Sequence, residues 1–319
     1  MKKTLALVLA LVMAALCFVA CGDTTTTTAA DTTAATTTEG TTDTTPVEKN
    51  YTLIVVGDTS ANASNKVSNY VLALVIDDAN KIVAARFDCS EVTPALDDAG
   101  AIIPVESVET KVEKGDAYTG MAAGSWAKQT AAFEAAIVGK TADEVANLDM
   151  TLVAGCTMAN TPATFKALVA EAFASTLKVT FTTAEEIKLG AAIDTVVKSG
   201  KGGKVTVGAD LAGTVVVGDK VAATMIDSSE FNFTIEEGAL VAAEFQGTKN
   251  ERGEGYTGMP AGAWYKQAQV FADSTVGKTA AELENLETVS DALAAAGCTM
   301  QNTTAGYKAT IITAVSYAK

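Results

Sequence analysis

The same long passage occurs twice in this chain, and that repetition constrains the fold more than any other feature. Residues 118–148 read YTGMAAGSWAKQTAAFEAAIVGKTADEVANL, and residues 256–286 read YTGMPAGAWYKQAQVFADSTVGKTAAELENL, with more than half of the positions identical. AGCTMANT at 154–161 recurs as AGCTMQNT at 296–303, after a short insertion in the second copy. Solenoid units usually run about 20–50 residues, so a repeat of this length indicates a duplicated domain. The pattern predicts an α+β protein of two homologous tandem domains. Each would be a small antiparallel sheet with two or three helices.

The first residues give the address. MKKTLALVLALVMAALCFVACG opens with Lys2 and Lys3, continues as an apolar stretch, and closes on small residues around Cys21. The stretch is shorter than the ~20 residues that a spanning helix prefers, as in a secretory signal. Phe18-Val19-Ala20-Cys21 resembles a bacterial lipobox. That resemblance implies a signal peptide over 1–20, cleavage before Cys21, and acylation of Cys21, which would anchor the chain to the cell membrane from outside. An ordinary cleaved signal that leaves Cys21 free is the alternative. Residues 21–49 are dominated by threonine and alanine. A segment with so little to bury cannot offset the entropy of ordering, so it reads as a disordered tether. Some 25 extended residues would reach on the order of 80 Å.

The rest divides into 50–178 and 179–319, each long enough for a core. With 23 Lys and Arg against 38 Asp and Glu, the net charge is −15. A surface of that sign repels phosphate backbones, so nucleic acid is not an expected partner. Histidine is absent, which excludes imidazole triads and most zinc sites. After Cys17 and Cys21, only Cys89, Cys156 and Cys298 remain. Cys156 and Cys298 are repeat-equivalent and read as small packed side chains rather than as a disulfide pair.

Local patterns fill in the domains. YTLIVVGD (51–58) reads as a strand and 69–88 as a hairpin turning at Asp78-Ala79-Asn80. The corresponding hairpin is expected at 230–246, with Gly238 aligned to Asn80, and the first domain is expected to add a second hairpin within 93–111. Trp126, Thr130, Phe133 and Ile137 share a helix face, repeated at Trp264, Ala268, Phe271 and Thr275. Thr141-x-x-Glu144 and Thr279-x-x-Glu282 are capping boxes. A last helix follows each AGCTM, the first opening at Thr161-Pro162.

Gly155-Cys156-Thr157-Met158 and Gly297-Cys298-Thr299-Met300 carry the clearest candidate chemistry. A hydroxyl with free amides before a helix can hold a phosphate group. Equally, the segment can be a tight approach to the last helix. The order of hairpin, glycine-containing polar loop (GDAYTGM, GEGYTGM), helix ending in VGKT, and Ala-Gly-x-Thr resembles the small FMN-binding domain. That family occurs in subunits of membrane Rnf and Nqr electron-transfer complexes and in Gram-positive surface flavoproteins. The resemblance implies FMN held by its phosphate, covalently or not, at Thr157 and Thr299. Gly155, Gly297, Cys156 and Cys298 would surround it, and Tyr118, Tyr256, Met121 and Met259 would line the flavin pocket. It further implies a flavin transferase and a membrane electron donor as partners, and electron carriage rather than an enzymatic reaction. Ala154 and Ala296 stand where the family has an acidic or hydroxyl residue. That departure favours the alternative, a cofactor-free binding or scaffold lipoprotein with the same fold.

Overall fold

The computed structural model describes residues 47–119, 122–158, 161–200, 202–256, 261–300 and 304–319. The first repeat opens with a meander of three long strands, β1 (Lys49–Ala61), β2 (Val67–Asp77) and β3 (Ile82–Val92). The β2–β3 turn places Asn80 at a φ of 56°, which a short amide side chain tolerates. Asp77 Oδ1 closes the turn by accepting from the amides of Ala79 and Lys81, both at 2.9 Å. Helices α1 (Lys111–Lys114), α2 (Trp126–Ile137), α3 (Ala142–Ala146) and α4 (Thr161–Ala174) follow. The chain then returns as β4 (Val179–Thr183), antiparallel to β1, in the order β3-β2-β1-β4. Residues 179–183, which lie beyond the division at 178, therefore complete the sheet of the first repeat.

The second repeat has β5 (Ile187–Ser199), β6 (Val205–Val217), β7 (Lys220–Glu236) and β8 (Ala239–Ala242), in that order across its sheet. Helices α5 (Lys249–Arg252), α6 (Trp264–Asp273), α7 (Ala280–Glu284), α8 (Asp291–Ala295) and α9 (Thr304–Ser316) follow. Leu189 and Lys319 exchange backbone hydrogen bonds of 3.3 and 3.4 Å, so the residue after α9 meets β5 as β4 meets β1. The α+β class and the two sheets expected from the duplication are present. Both capping boxes form as expected, at Thr141–Glu144 and Thr279–Glu282.

Two local expectations are corrected. The turn equivalent to Asn80 is at Gly218, between β6 and β7, whereas Glu237-Gly238 turns β7 into β8. The register of β7 follows DSSE (227–230), which matches DCSE (88–91). The second hairpin expected within 93–111 is reduced to an isolated bridge between Leu96 and Ile102, and the regular extra hairpin belongs to the second repeat.

The sheets pack face to face. Leu53, Val55, Val71, Ala73 and Val75 share one core with Leu189, Ile193, Leu211, Val215 and Met225. The outer face of the first sheet packs on Trp126, Phe133, Ile137 and Phe165, and that of the second on Trp264, Phe271, Tyr307 and Ile311. Both faces of each sheet are thus covered, which explains why LIVV and VLALVI run apolar without strict alternation. A polar cluster pins the seam: Thr59 Oγ1 bonds Ser229 Oγ at 2.9 Å, and Thr195 Oγ1 meets Ser90 Oγ at 2.6 Å. These are the same contact made twice, as across an internal two-fold axis. Asn69 joins the halves by accepting from Thr59 and donating to Thr195.

Close approach at the seam demands glycine at Gly213, where a Cβ would fall 2.7 Å from that of Ala73. Gly213→Val should therefore destabilise the protein by about 1–3 kcal/mol in urea unfolding, despite the strand preference of valine. Gly208→Ala, whose added carbon would meet only Val196 at an ordinary 3.6 Å, should leave stability unchanged or raise it by about 0.5–1 kcal/mol. Equal effects at the two positions would show that the seam is not tightly packed.

Candidate functional site

In each repeat the loop after the tyrosine meets the AGCTM segment, and a buried glutamine joins them. Gln129, on the first turn of α2, accepts through Oε1 from the Thr157 amide at 2.6 Å and the Thr157 hydroxyl at 3.1 Å. Its Nε2 donates to the Gly124 carbonyl at 3.0 Å. Gln267 repeats this, accepting from the Thr299 amide and hydroxyl at 2.8 Å each and donating to the Gly262 carbonyl at 3.1 Å. In the first repeat Thr157 Oγ1 also accepts from the Ala123 amide at 3.2 Å. Both glutamines are fully buried. The amides and hydroxyls proposed for a phosphate are therefore used to hold two loops together.

The structure brings some expected site residues together and sends others inward. Gly155 and Gly297 have φ values of 82° and 105°, the left-handed geometry that shapes the segment. Thr157 is exposed and Thr299 half-buried. Cys156, Cys298, Met158 and Met300 point into the cores, and Cys89, Cys156 and Cys298 are free thiols. Cys156 and Cys298 are thus packing residues rather than a pocket lining, because their side chains lie on the core side of the segment. Trp126 and Trp264 are core residues at 1% and 2% exposure. Met121 and Met259 lie outside the described residues, as does Cys21.

Tyr118 and Tyr256 remain half-buried beside these loops, each against a buried lysine. Lys111 Nζ sits 5.1 Å from the centroid of the Tyr118 ring and 5.5 Å from that of Trp126. Lys249 Nζ sits 5.2 Å from that of Tyr256 and 5.4 Å from that of Trp264. The ammonium groups pair with Glu91 Oε1 at 3.0 Å and Glu230 Oε1 at 3.3 Å. Arg252 adds a second cation 4.6 Å from the Tyr256 ring. Burial acts to raise Glu91, and the Lys111 and Lys66 ammonium groups together more than offset it, so its carboxyl is lowered. This cation–π and ion-pair arrangement is self-contained.

A third repeated device anchors the helix before the tyrosine. Asp88 Oδ1 accepts from the amides of Cys89 (2.7 Å) and Val112 (3.1 Å); Asp227 Oδ1 accepts from Ser228 (2.7 Å) and Asn250 (3.0 Å). Thr110 and Thr248 cap α1 and α5 in complete capping boxes. Burial pushes both aspartates up to about 7, against these hydrogen bonds. Sequence reasoning missed Asp88, Lys111, Gln129 and their partners. The signal was available: D-x-S-E at 88–91 and 227–230, Thr-Lys-x-Glu at 110–113 and 248–251, and Lys-Gln at 128–129 and 266–267 are all repeated.

An isoalloxazine stacks on an open flat face. The tryptophans are buried, and cations already lie against the tyrosine rings. Neither tryptophan offers a free face to a flavin. Comparison with protein-family models, curated proteins and solved structures gave no match. No helix among the described residues is long and apolar enough to cross a membrane.

Two outcomes are expected. Gln129→Ala leaves the Thr157 amide without its acceptor and should cost about 1–3 kcal/mol by thermal or urea unfolding; Gln267→Ala should cost the same. Asp88 and Asp227 are raised above their unfolded value of about 3.9, so their stabilising effect is complete below about pH 4 and lost as pH rises through 7. The melting temperature should be higher at pH 5 than at pH 8.5, and Asp88→Asn with Asp227→Asn should reduce that difference. A melting temperature that climbs from pH 5 to 8.5 would contradict the assignment.

Proposed function

We propose that this chain is a lipid-anchored extracytoplasmic binding protein that works without flavin, presenting two equivalent loop pairs from one rigid body on a threonine-rich tether. The observation that carries the reading is the lysine seated in each aromatic site, Lys111 against Tyr118 and Trp126 and Lys249 against Tyr256 and Trp264. What each repeat presents beside these rings is a polar rim in which glutamine clamps the loop end at Gly124 or Gly262 to the Gly-Cys-Thr segment. Preorganisation reduces the ordering cost of association. Two rims at a fixed separation gain from bivalent engagement of a repetitive partner. The rims contribute hydroxyls and backbone groups, which suits an uncharged polar polymer such as an envelope glycan. The signal, the Cys21 anchor and the tether place that rim outside the membrane.

The second reading is flavin carriage on the same fold, favoured by the exposed Thr157 hydroxyl in its Gly-x-Thr setting. Thr157 and Thr299 would then hold the FMN phosphate. The flavin would supply one- and two-electron chemistry, and the protein would only position it. Co-expression of the whole chain with a flavin transferase separates the two readings. Colourless protein of unmodified mass is expected; yellow protein that loses one flavin with Thr157→Ala and one with Thr299→Ala would establish the carrier instead. In the same preparation, sedimentation with purified cell-wall glycan should carry the protein down. Gln129→Ala combined with Gln267→Ala should leave more of it in the supernatant, and failure of the unaltered protein to sediment would remove the glycan as partner.

A further inference from the structure

The first repeat has an edge strand for which the described residues of the second supply no full counterpart. β4 pairs with the outer edge of β1, with Val179 opposite Leu53 and Phe181 opposite Tyr51, and it runs beside β7. Its exposure alternates: Val179 and Phe181 are half-buried, whereas Thr180 and Thr182 are exposed. Phe181 stacks on Tyr51 with ring centroids 5.5 Å apart. Asp194-Thr195 repeats Asp58-Thr59, so Leu189 corresponds to Leu53 and Ile187 to Tyr51. Leu189 already exchanges both backbone hydrogen bonds with Lys319. Antiparallel pairing recurs at every second residue, so Ile187 turns its N–H and C=O to the same edge. Among the described residues no backbone bond meets them there.

The place that β4 fills in the first repeat is a groove in the second. Its volume is about 530 Å³, and Ile187 of β5, Val83 and Ala84 of β3, and Ala131 and Ala135 of α2 line it. Val83 and Ala84 correspond to Ala222 and Ala223 of β7, the strand that β4 runs beside. Each of these lining side chains is half-buried or exposed, so the groove has an accessible apolar floor. Tyr51 reaches it from the first sheet, and Glu185 and Glu186, both exposed, stand at the end away from Leu189.

We propose that this groove takes a short extended segment of a partner protein as an added strand, antiparallel to β5, in the position that β4 holds on β1. The segment sets an aromatic or β-branched side chain opposite Ile187, as Phe181 stands opposite Tyr51, with hydroxyl residues on either side. A lysine or arginine follows, against Glu185 and Glu186. In strand addition the main-chain hydrogen bonds supply affinity and alternate side chains select the sequence. Charges beside an open edge discourage indiscriminate pairing, and here two carboxylates discriminate by sign. The groove shares no residue with the loop rims, so its occupancy does not depend on whether those rims bind glycan or flavin.

The test uses the full chain and a labelled peptide, acetyl-Thr-Phe-Thr-Thr-Lys-amide, followed by fluorescence anisotropy. The peptide repeats Thr180–Thr183 and adds the lysine, and it should bind saturably at one site per chain. N-methylation of its phenylalanine removes the N–H that faces Ile187 and should weaken binding at least about tenfold. N-methylation of the next threonine, whose N–H points away from β5, should leave binding unchanged. Ile187→Pro removes the edge-facing N–H without costing a bond inside the sheet, and should weaken binding about as much. Glu185→Lys with Glu186→Lys changes only exposed side chains; it should weaken binding severalfold and guards against misfolding of the proline variant. No saturable binding by the unaltered protein would overturn the proposal. Equal binding of the two N-methylated peptides, or undiminished binding by the charge-reversed protein, would overturn it as well.

Discussion

The seam between the two sheets is the contact on which the rest of the structure depends. Each sheet has one face for its own helices and another that is equally apolar, and neither repeat covers the second face from its own chain. Packing the repeats against each other buries Leu53, Val55, Val71, Ala73 and Val75 with Leu189, Ile193, Leu211 and Met225. Fully burying a side chain of that size contributes about 1.5–3 kcal/mol, so a shared core of this extent outweighs the cost of fixing the orientation of the halves. The Thr59–Ser229 and Ser90–Thr195 hydroxyl pairs add direction to an otherwise non-directional contact. A slip in register would leave them buried and unpaired, which the low dielectric of the seam makes expensive.

That arrangement determines where function can lie. The sheets are enclosed on both sides, so what remains accessible is the rim where helices begin and loops cross. There the same economy recurs in both repeats: one buried polar side chain fixes each irregular segment. Asp88 and Asp227 hold the start of α1 and α5; Gln129 and Gln267 hold the Gly-Cys-Thr segments; Lys111 and Lys249 fill the space between tyrosine and tryptophan. The aspartates and glutamines are buried because the backbone they satisfy is irregular and has no ladder or helix partner, and the lysines because they pair with Glu91 and Glu230 against the aromatic rings. A cofactor would have to compete with these internal contacts, which is the physical basis for preferring the flavin-free reading.

Much of the fold was legible because it depends on local signals. The capping boxes, the helix face of Trp126, Phe133 and Ile137, and the β2–β3 turn at Asn80 each announce themselves within a few residues. The role of β4 was not, since Val179–Thr183 looks like the opening strand of whatever follows it, and only pairing with Leu53 and Tyr51 assigns it to the first sheet. Gly238 misled for a related reason. It does form a turn, but several glycines in the second repeat can, and the register that selects Gly218 is set by long-range strand pairing. At the site, Thr157 and Gly155 stood out because hydroxyls beside glycines suggest chemistry. Gln129 did not, because a glutamine on a helix usually faces solvent, and its burial depends on a loop that sequence alone does not place.

Duplication explains both the symmetry that survives and the asymmetry that does not. Seam positions are coupled to partners in the other half and the clamps to loops in their own, so a change at Thr59 or Gln129 strands a buried group elsewhere. Beside β3 and β7 the copies part: Arg86, Thr130 and Glu134 in one, Met225, Ala268 and Ala272 in the other. The apolar trio is the simpler solution for stability, because replacing a buried ion pair with well-packed apolar groups is commonly neutral or stabilising. The polar trio leaves Arg86 Nε and Thr130 Oγ1 without partners among the described residues, and burial pushes Glu134 up to about 7 against the pull of Arg86. The two halves thus solve one packing problem in two ways: an ion pair tied to the Phe87 amide in the first, and closely packed apolar side chains in the second.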